Sequence, residues 1–288
     1  MRRVREPSCS VSQVLAVCLR HTEDHSLVAR ANAALNNFTD AELDYRTKAD
    51  TRELYKIAES PAVGALLSKD EVSFLYNKLS SSTPETRILY DHIKGLARGM
   101  ICPLCNQRTV STLDHYLAKS LHGALAITPI NLVPACKDCN TDSGTRRSTS
   151  PGDQTFHPYF DNGDTETWIV ARITSESPPA AIFSTSKPAG WSDDFYLSAE
   201  AHFRDFKLAK LYSAQAGQEL VNIYMDIINS PNSEDPHQLR QHFLETARRR
   251  RFPVRNSWQA ALYQAAADSA WLCSGGYLEI ANSELLQD

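Results

Sequence analysis

Four of the seven cysteines stand in two C-x-x-C pairs, Cys102/Cys105 and Cys136/Cys139, with thirty residues between them. A C-x-x-C turn lets two thiolates reach one ion, and two such turns complete a tetrahedral sulfur shell whose usual occupant is Zn²⁺. A closed shell of that kind is structural. Disulfides are the competing reading; they need an oxidising compartment, and no secretory signal is evident in the first residues. A redox C-x-x-C fits poorly, because two pairs flank one segment and no thioredoxin-like βαβ pattern surrounds either. Inside the span lie Asp114-His115 and Asn131, and Asn140 follows the last cysteine. These residue types suit phosphodiester hydrolysis. A neutral imidazole can take a proton from water near pH 7. A carboxylate and an amide oxygen are hard ligands suited to Mg²⁺, which takes few protein ligands. Asn131 can hold the ring of His115 in its working orientation.

The elements that must position these groups are short. Thr109–Leu113 alternates polar and apolar residues with β-branched side chains and reads as a strand, with Asp114-His115 at its end. Ile130–Val133 reads as a second strand bounded by Pro129 and Pro134, and residues 136–145 as a helix closed near Gly144. Neighbouring strand residues point to opposite faces, so Asp114 and His115 can share a site only where the strand ends or bends.

The sequence D-H, then N-L-x-P, then C-x-x-C-N resembles the HNH endonucleases, over Cys102 to about Arg147. The resemblance implies a ββα-metal finger with His115 as general base, Asp114 as a ligand of a catalytic Mg²⁺ or Mn²⁺, Asn131 as the middle asparagine and Asn140 as the last metal ligand. Two departures stand out. Ala118 occupies a place where related proteins often have proline, and no lysine follows Asn140 closely, which leaves Arg146 and Arg147 for the phosphate-binding role. The long helical flanks and His157-Pro-Tyr-Phe160 are similar to the HNH subunit of Septu-type and retron-linked anti-phage systems. That similarity implies a role in antiviral defence beside a partner ATPase.

The whole 288-residue chain is of ordinary globular composition, 42% hydrophobic and 22% charged, with a net charge of −4. No global basic field therefore marks it for nucleic acid. Locally the sign reverses: residues 101–150 hold five cations against three anions. Lys119, Lys137, Arg146 and Arg147 are the candidate nucleic-acid contacts among them. No apolar run approaches the length of a membrane span, and a cytoplasmic protein is expected.

Residues 1–99 read as helical. Ser10-x-x-Gln13 and Ser68-x-x-Glu71 resemble capping boxes, Thr39-x-x-Glu42 opens another helix running to Leu54 and Ile57, and Thr83-Pro84 opens a fourth. Arg20–His25 reads as an exposed helix end, and Cys18 as core rather than reactive. After the finger, His157 either packs back with Tyr159 and Phe160 or assists the metal site. Trp168–Ile173 and Ala181–Phe183 read as a small hairpin. Residues 195–288 return to helix, with one apolar stripe from Phe206 to Ile227, Asp235-Pro236 opening the next helix, and a last helix from Trp258 ended by Gly275-Gly276. The run Arg248–Arg251 either offsets a helix macrodipole or offers a patch for phosphate or a partner.

The expected fold is mainly α with an embedded zinc-stapled ββα-metal finger: a helical region 1–99, the finger 100–160, and a mostly helical region 161–288. The expected function is a metal-dependent endonuclease acting on DNA or RNA. The alternative is a non-catalytic zinc module binding nucleic acid or protein, which needs the cysteines but not the Asp-His-Asn-Asn set. A zinc deaminase is excluded by pattern, since it requires H-x-E and P-C-x-x-C.

Overall fold

The computed structural model describes residues 1–20, 22–81, 84–229 and 235–286. At the start, Ser10 and Gln13 form the expected reciprocal cap: the Ser10 amide donates to Gln13 Oε1 at 2.9 Å, and α1 runs Val11–Arg20. Asp24 then accepts from the Leu27 amide and opens α2, His25–Ala33. The stretch expected as an exposed helix end is therefore a break between two helices, with His21 outside the described residues. α3 spans Leu35–Asp50, so Thr39 lies inside it rather than opening it. It also stops before Leu54 and Ile57, because Arg52 turns to a φ of 60° and pairs with the buried Asp161. Ser68 and Glu71 form a complete capping box for α4, Lys69–Leu79. α5 is Pro84–Lys94; its expected cap, Thr83, lies outside the described residues.

Two strands and a short helix follow. β1, Thr112–His115, pairs antiparallel with β2, Leu132–Ala135, setting Leu113 opposite Pro134, Asp114 opposite Val133 and His115 opposite Leu132. Both strands lie two or three residues later than expected. Pro134 sits within β2 rather than bounding it, which a two-stranded sheet tolerates because each strand is an edge. α6, Lys137–Ser143, ends at Gly144, whose φ of 51° favours glycine.

One core joins these parts. Val11, Val14, Leu15 and Cys18 of α1 pack with Phe38, Leu75, Leu79 and Ile93, and with Leu113, Leu132, Ala126 and Ile127 of the hairpin and its loop. A second cluster gathers Tyr45, Ala49 and Leu54 around Leu125 and Ile130 on the loop's other side. The loop between β1 and β2 is thus held between two apolar clusters. Gly123 lets it approach so closely that an added Cβ would lie 2.4 Å from the Pro61 carbonyl oxygen. The helical region expected over 1–99 and the finger expected over 100–160 accordingly fall in one compact unit, Met1–Asn162.

The second unit, Gly163–Asp288, begins with the expected hairpin. β3, Ile169–Ile173, pairs antiparallel with β4, Ala181–Thr185. Asn256, 1% exposed, ties the entry to this hairpin by accepting from the Trp168 amide and donating to the Gly163 and Glu166 carbonyls. α7 is Asp193–Asp205 and α8 is Leu208–Ile228. Lys207, at a φ of 52°, separates them, so the stripe read from Phe206 to Ile227 starts at a break. Asp235 caps α9, Pro236–Arg251, accepting from the amides of His237 and Gln238. The last helix is divided: Ser269 ends α10, Trp258–Asp268, and caps α11, Ala270–Cys273. Among the described residues the architecture is mainly helical with two small two-stranded sheets. Among the described residues no helix is long and apolar enough to cross a membrane.

Candidate metal centre

The sulfurs of Cys102, Cys105, Cys136 and Cys139 all lie within 4.8 Å of one another, and all four residues are buried. Cys105 and Cys136 Sγ are 4.0 Å apart, far beyond a disulfide's roughly 2.05 Å. A tetrahedral Zn²⁺ with bonds of about 2.3 Å would need sulfurs about 3.8 Å apart, so the donor set fits that ion. Two amides already point at sulfur: Arg108 N donates to Cys105 Sγ at 3.5 Å, and Cys139 N to Cys136 Sγ at 3.4 Å. Such donors favour thiolate over thiol. Hydrogen bonds with Cys102 and Cys139 lower the Cys136 thiol, while Cys105 opposes them. The first pair sits on a turn where Asn106 takes a φ of 54° and Arg2 reaches its side chain. In the second pair Cys136 is the N-cap of α6. An Arg108–Asp138 ion pair at 2.9 Å joins the two turns.

Asp114 and His115 diverge from adjacent positions at the end of β1. Asp114, 7% exposed, faces α6, where its carboxyl meets the Ser143 hydroxyl and the field of Arg146; burial outweighs both and pushes it up to about 7. The same hydroxyl donates to the Asn140 carbonyl at 3.0 Å. Its one proton serves one acceptor at a time, so Ser143 sits between Asp114 and the turn of α6 that carries Asn140. The Asn140 amide is half-buried and finds no side-chain partner among the described residues.

His115 faces the other way. Its Nε2 lies 2.8 Å from the Ala126 carbonyl. A carbonyl only accepts, so Nε2 carries the proton and Nδ1 of the neutral ring is left as the base. Burial lowers the ring to about 4, which keeps it neutral at pH 7. Tyr76 meets its edge with ring centroids 4.5 Å apart.

Asn131 does not hold that ring. Its Nδ2 donates to the carbonyls of Leu117 at 3.0 Å and Leu125 at 3.1 Å, and its Oδ1 accepts from the Leu117 amide at 2.8 Å. Both amide hydrogens are spent on the loop. It is a positioning residue at one remove, because the residue after Leu125 supplies the carbonyl that orients His115.

The candidate cations divide. Lys119 Nζ lies 4.1 Å from the centroid of the Tyr76 ring, the ring that also meets His115. Arg146 donates to the Thr155 hydroxyl at 3.1 Å, and Lys137 is exposed on α6. Arg147 is engaged by both oxygens of Glu59, at 2.6 and 3.1 Å. A cleft of about 100 Å³ opens beside Tyr116 and Leu117, with His122, Arg146 and Arg147 on its wall.

His157 is a core residue, not an accessory one. It is 2% exposed, its Nε2 meets Tyr45 Oη at 2.8 Å and its Nδ1 accepts from the Tyr159 amide at 3.1 Å. Burial lowers its pKa to about 3. Sequence reasoning missed Ser143, although it lies one helical turn after Asn140. It also gave Tyr76 no part in the site, although that ring meets His115.

The chain is 26% identical over 292 residues to Protein ea31 of Escherichia phage lambda, an alignment covering 93% of this chain and 98% of that protein. No protein-family model and no solved structure matches the chain.

Proposed function

We propose that this protein is a metal-dependent endonuclease of the HNH kind, in which β1, β2 and α6 form the ββα-metal finger. One observation carries the reading: Asp114 lies against Ser143, in the turn of α6 that carries Asn140, while the adjacent His115 is fixed on the Ala126 carbonyl through Nε2, its Nδ1 unpartnered among the described residues. A zinc module that only binds has no use for a buried carboxyl and a fixed imidazole at adjacent positions, and burying the carboxyl is costly.

In this reading His115 Nδ1 takes the proton from the attacking water. Asp114 and Asn140 would hold Mg²⁺ or Mn²⁺, which supplies polarisation of the phosphate and stabilisation of the leaving oxygen. Lys119, stacked on Tyr76, and Arg146, at the cleft wall, are placed to draw the substrate backbone in. Arg147 would first have to leave Glu59. Zn²⁺ on the four cysteines is structural. The similarity to a phage protein supports a role connected with phage. Membership of an anti-phage system and a partner ATPase rest on the family resemblance.

The test is incubation with duplex DNA, single strands and tRNA, with Mg²⁺ or Mn²⁺. His115→Ala is expected to lower cleavage about 10²–10⁴-fold with melting and zinc content unchanged. Wild-type turnover in that variant removes His115 from the mechanism. Absence of cleavage on every substrate, with nucleic acid still bound, favours the non-catalytic zinc module.

A further inference from the structure

α9 buries Leu239, Phe243 and Ala247, and the next position on that stripe is Arg251. Its Nε is buried with no hydrogen-bond partner among the described residues. Burial, and then the nearby charge of Arg255, lower its pKa, and Asp268 only partly opposes them. Around it, Arg248, Arg249, Arg250 and Arg255 are exposed. Glu245 engages Arg249 at 3.4 Å and Glu219 engages Arg250 at 3.8 Å. Arg248 and Arg255 have no ion-pair partner among the described residues. Phe252, the C-cap of α9, is 95% exposed, and Arg248 lies one turn before it on the same face.

Offsetting the helix macrodipole accounts for cations in the last turn. It does not account for an arginine whose Nε is buried without a partner on the apolar stripe, for Arg255 beyond the helix, or for a phenylalanine held in water among them. Cations tracking a phosphate backbone beside an aromatic ring that receives a base are what sequence-tolerant single-strand binding requires.

We propose that the C-terminal end of α9 binds an unpaired nucleic-acid strand, with Phe252 stacking on a base and Arg248 and Arg255 on neighbouring phosphates. The proposal rests on the nuclease reading for its class of ligand. Arg251 adds charge beneath the surface.

The test uses the full chain and fluorescence anisotropy with labelled single-stranded DNA across a salt series, divalent cations omitted so that binding is read without cleavage. Each phosphate neutralised on a single strand contributes about 0.7 to the slope of log affinity against log salt. The double variant Arg248→Gln/Arg255→Gln should therefore flatten that slope by about 1.4. Phe252→Ala should weaken binding about tenfold with the slope unchanged. All three positions are exposed, so melting should not move. An unchanged slope in the double variant overturns the proposal, as does unchanged affinity in Phe252→Ala. So does loss of binding to anionic vesicles in these variants while binding to the strand persists. A wild-type protein that binds the strand this way and never cleaves it keeps the surface and sinks the nuclease. Cleavage with these binding parameters unmoved does the reverse.

Discussion

Asn131→Ala is the sharpest test of how the site is held. The side chain is fully buried and makes three hydrogen bonds to the loop backbone, at Leu117 N, Leu117 O and Leu125 O. The bond to Leu125 O is buried and the other two are partly so. Losing a partner for a buried carbonyl costs about 1–3 kcal/mol, and each partly buried bond about 0.5–1.5 kcal/mol. The expected loss of unfolding free energy is about 2–6 kcal/mol, read by urea denaturation. Asn131→Asp should cost more than the alanine, because it turns a carboxylate oxygen toward two carbonyls. Cleavage should fall in both variants although neither touches the His115 ring, because the Ala126 carbonyl loses its support. NMR should then show the ring losing its fixed Nε2-protonated tautomer. If Asn131 gripped the ring directly, alanine would disturb the ring with little effect on stability. A loss below about 1 kcal/mol would refute the loop-staple argument.

Three further outcomes follow from the same geometry. Asp114 has a folded pKa of about 7, above its unfolded value near 3.9. Its favourable contribution is full below pH 4 and lost as pH rises to 7, so metal-free Asp114→Asn should gain on the order of 4 kcal/mol at pH 8 and almost nothing at pH 4; Mg²⁺ or Mn²⁺ should narrow that gap by stabilising only the wild type. His157 shifts the other way, to about 3: its contribution is present above pH 6.5 and lost as pH falls toward 3, on the order of 1.4 kcal/mol per pH unit, and His157→Gln should flatten that part of the stability–pH curve. Cys139→Ser should abolish the expected one zinc per chain, measured by elemental analysis, and lower the melting of the α1–α5 helices together with the hairpin, since they share a core. Independent melting of those helices would contradict the shared core.

The sequence was most legible where the physics is local. Each C-x-x-C turn forms, and the Ser10 and Ser68 boxes cap helices, because each needs only residues a few positions apart. Gly144 ends α6 for the same reason. What could not be read depends on distant partners. α3 stops at Asp50 because Arg52 turns to meet Asp161, more than a hundred residues later. Asn131 has the right type for a site residue, but its bonds go to a loop whose path is set by two apolar clusters. His157 looks the same in sequence whether it faces a phosphate or Tyr45. Helices and hairpin each supply one side of the same core, so residues on either side of position 99 pack together.

Arg2 N donates to the Pro103 carbonyl, and Val4 N to the Pro158 carbonyl, each at 2.9 Å. These bonds bear on the timing of synthesis. Arg2 has no partner until residue 103 has left the ribosome and Val4 none until residue 158 has, and α1 has no full core until the hairpin follows it. Such long-range closure is slow. A nascent chain therefore carries the histidine and the carboxylate for some time without a loop to aim them. In the nuclease reading proposed above, that delay would keep the unfinished product harmless to the messenger being read.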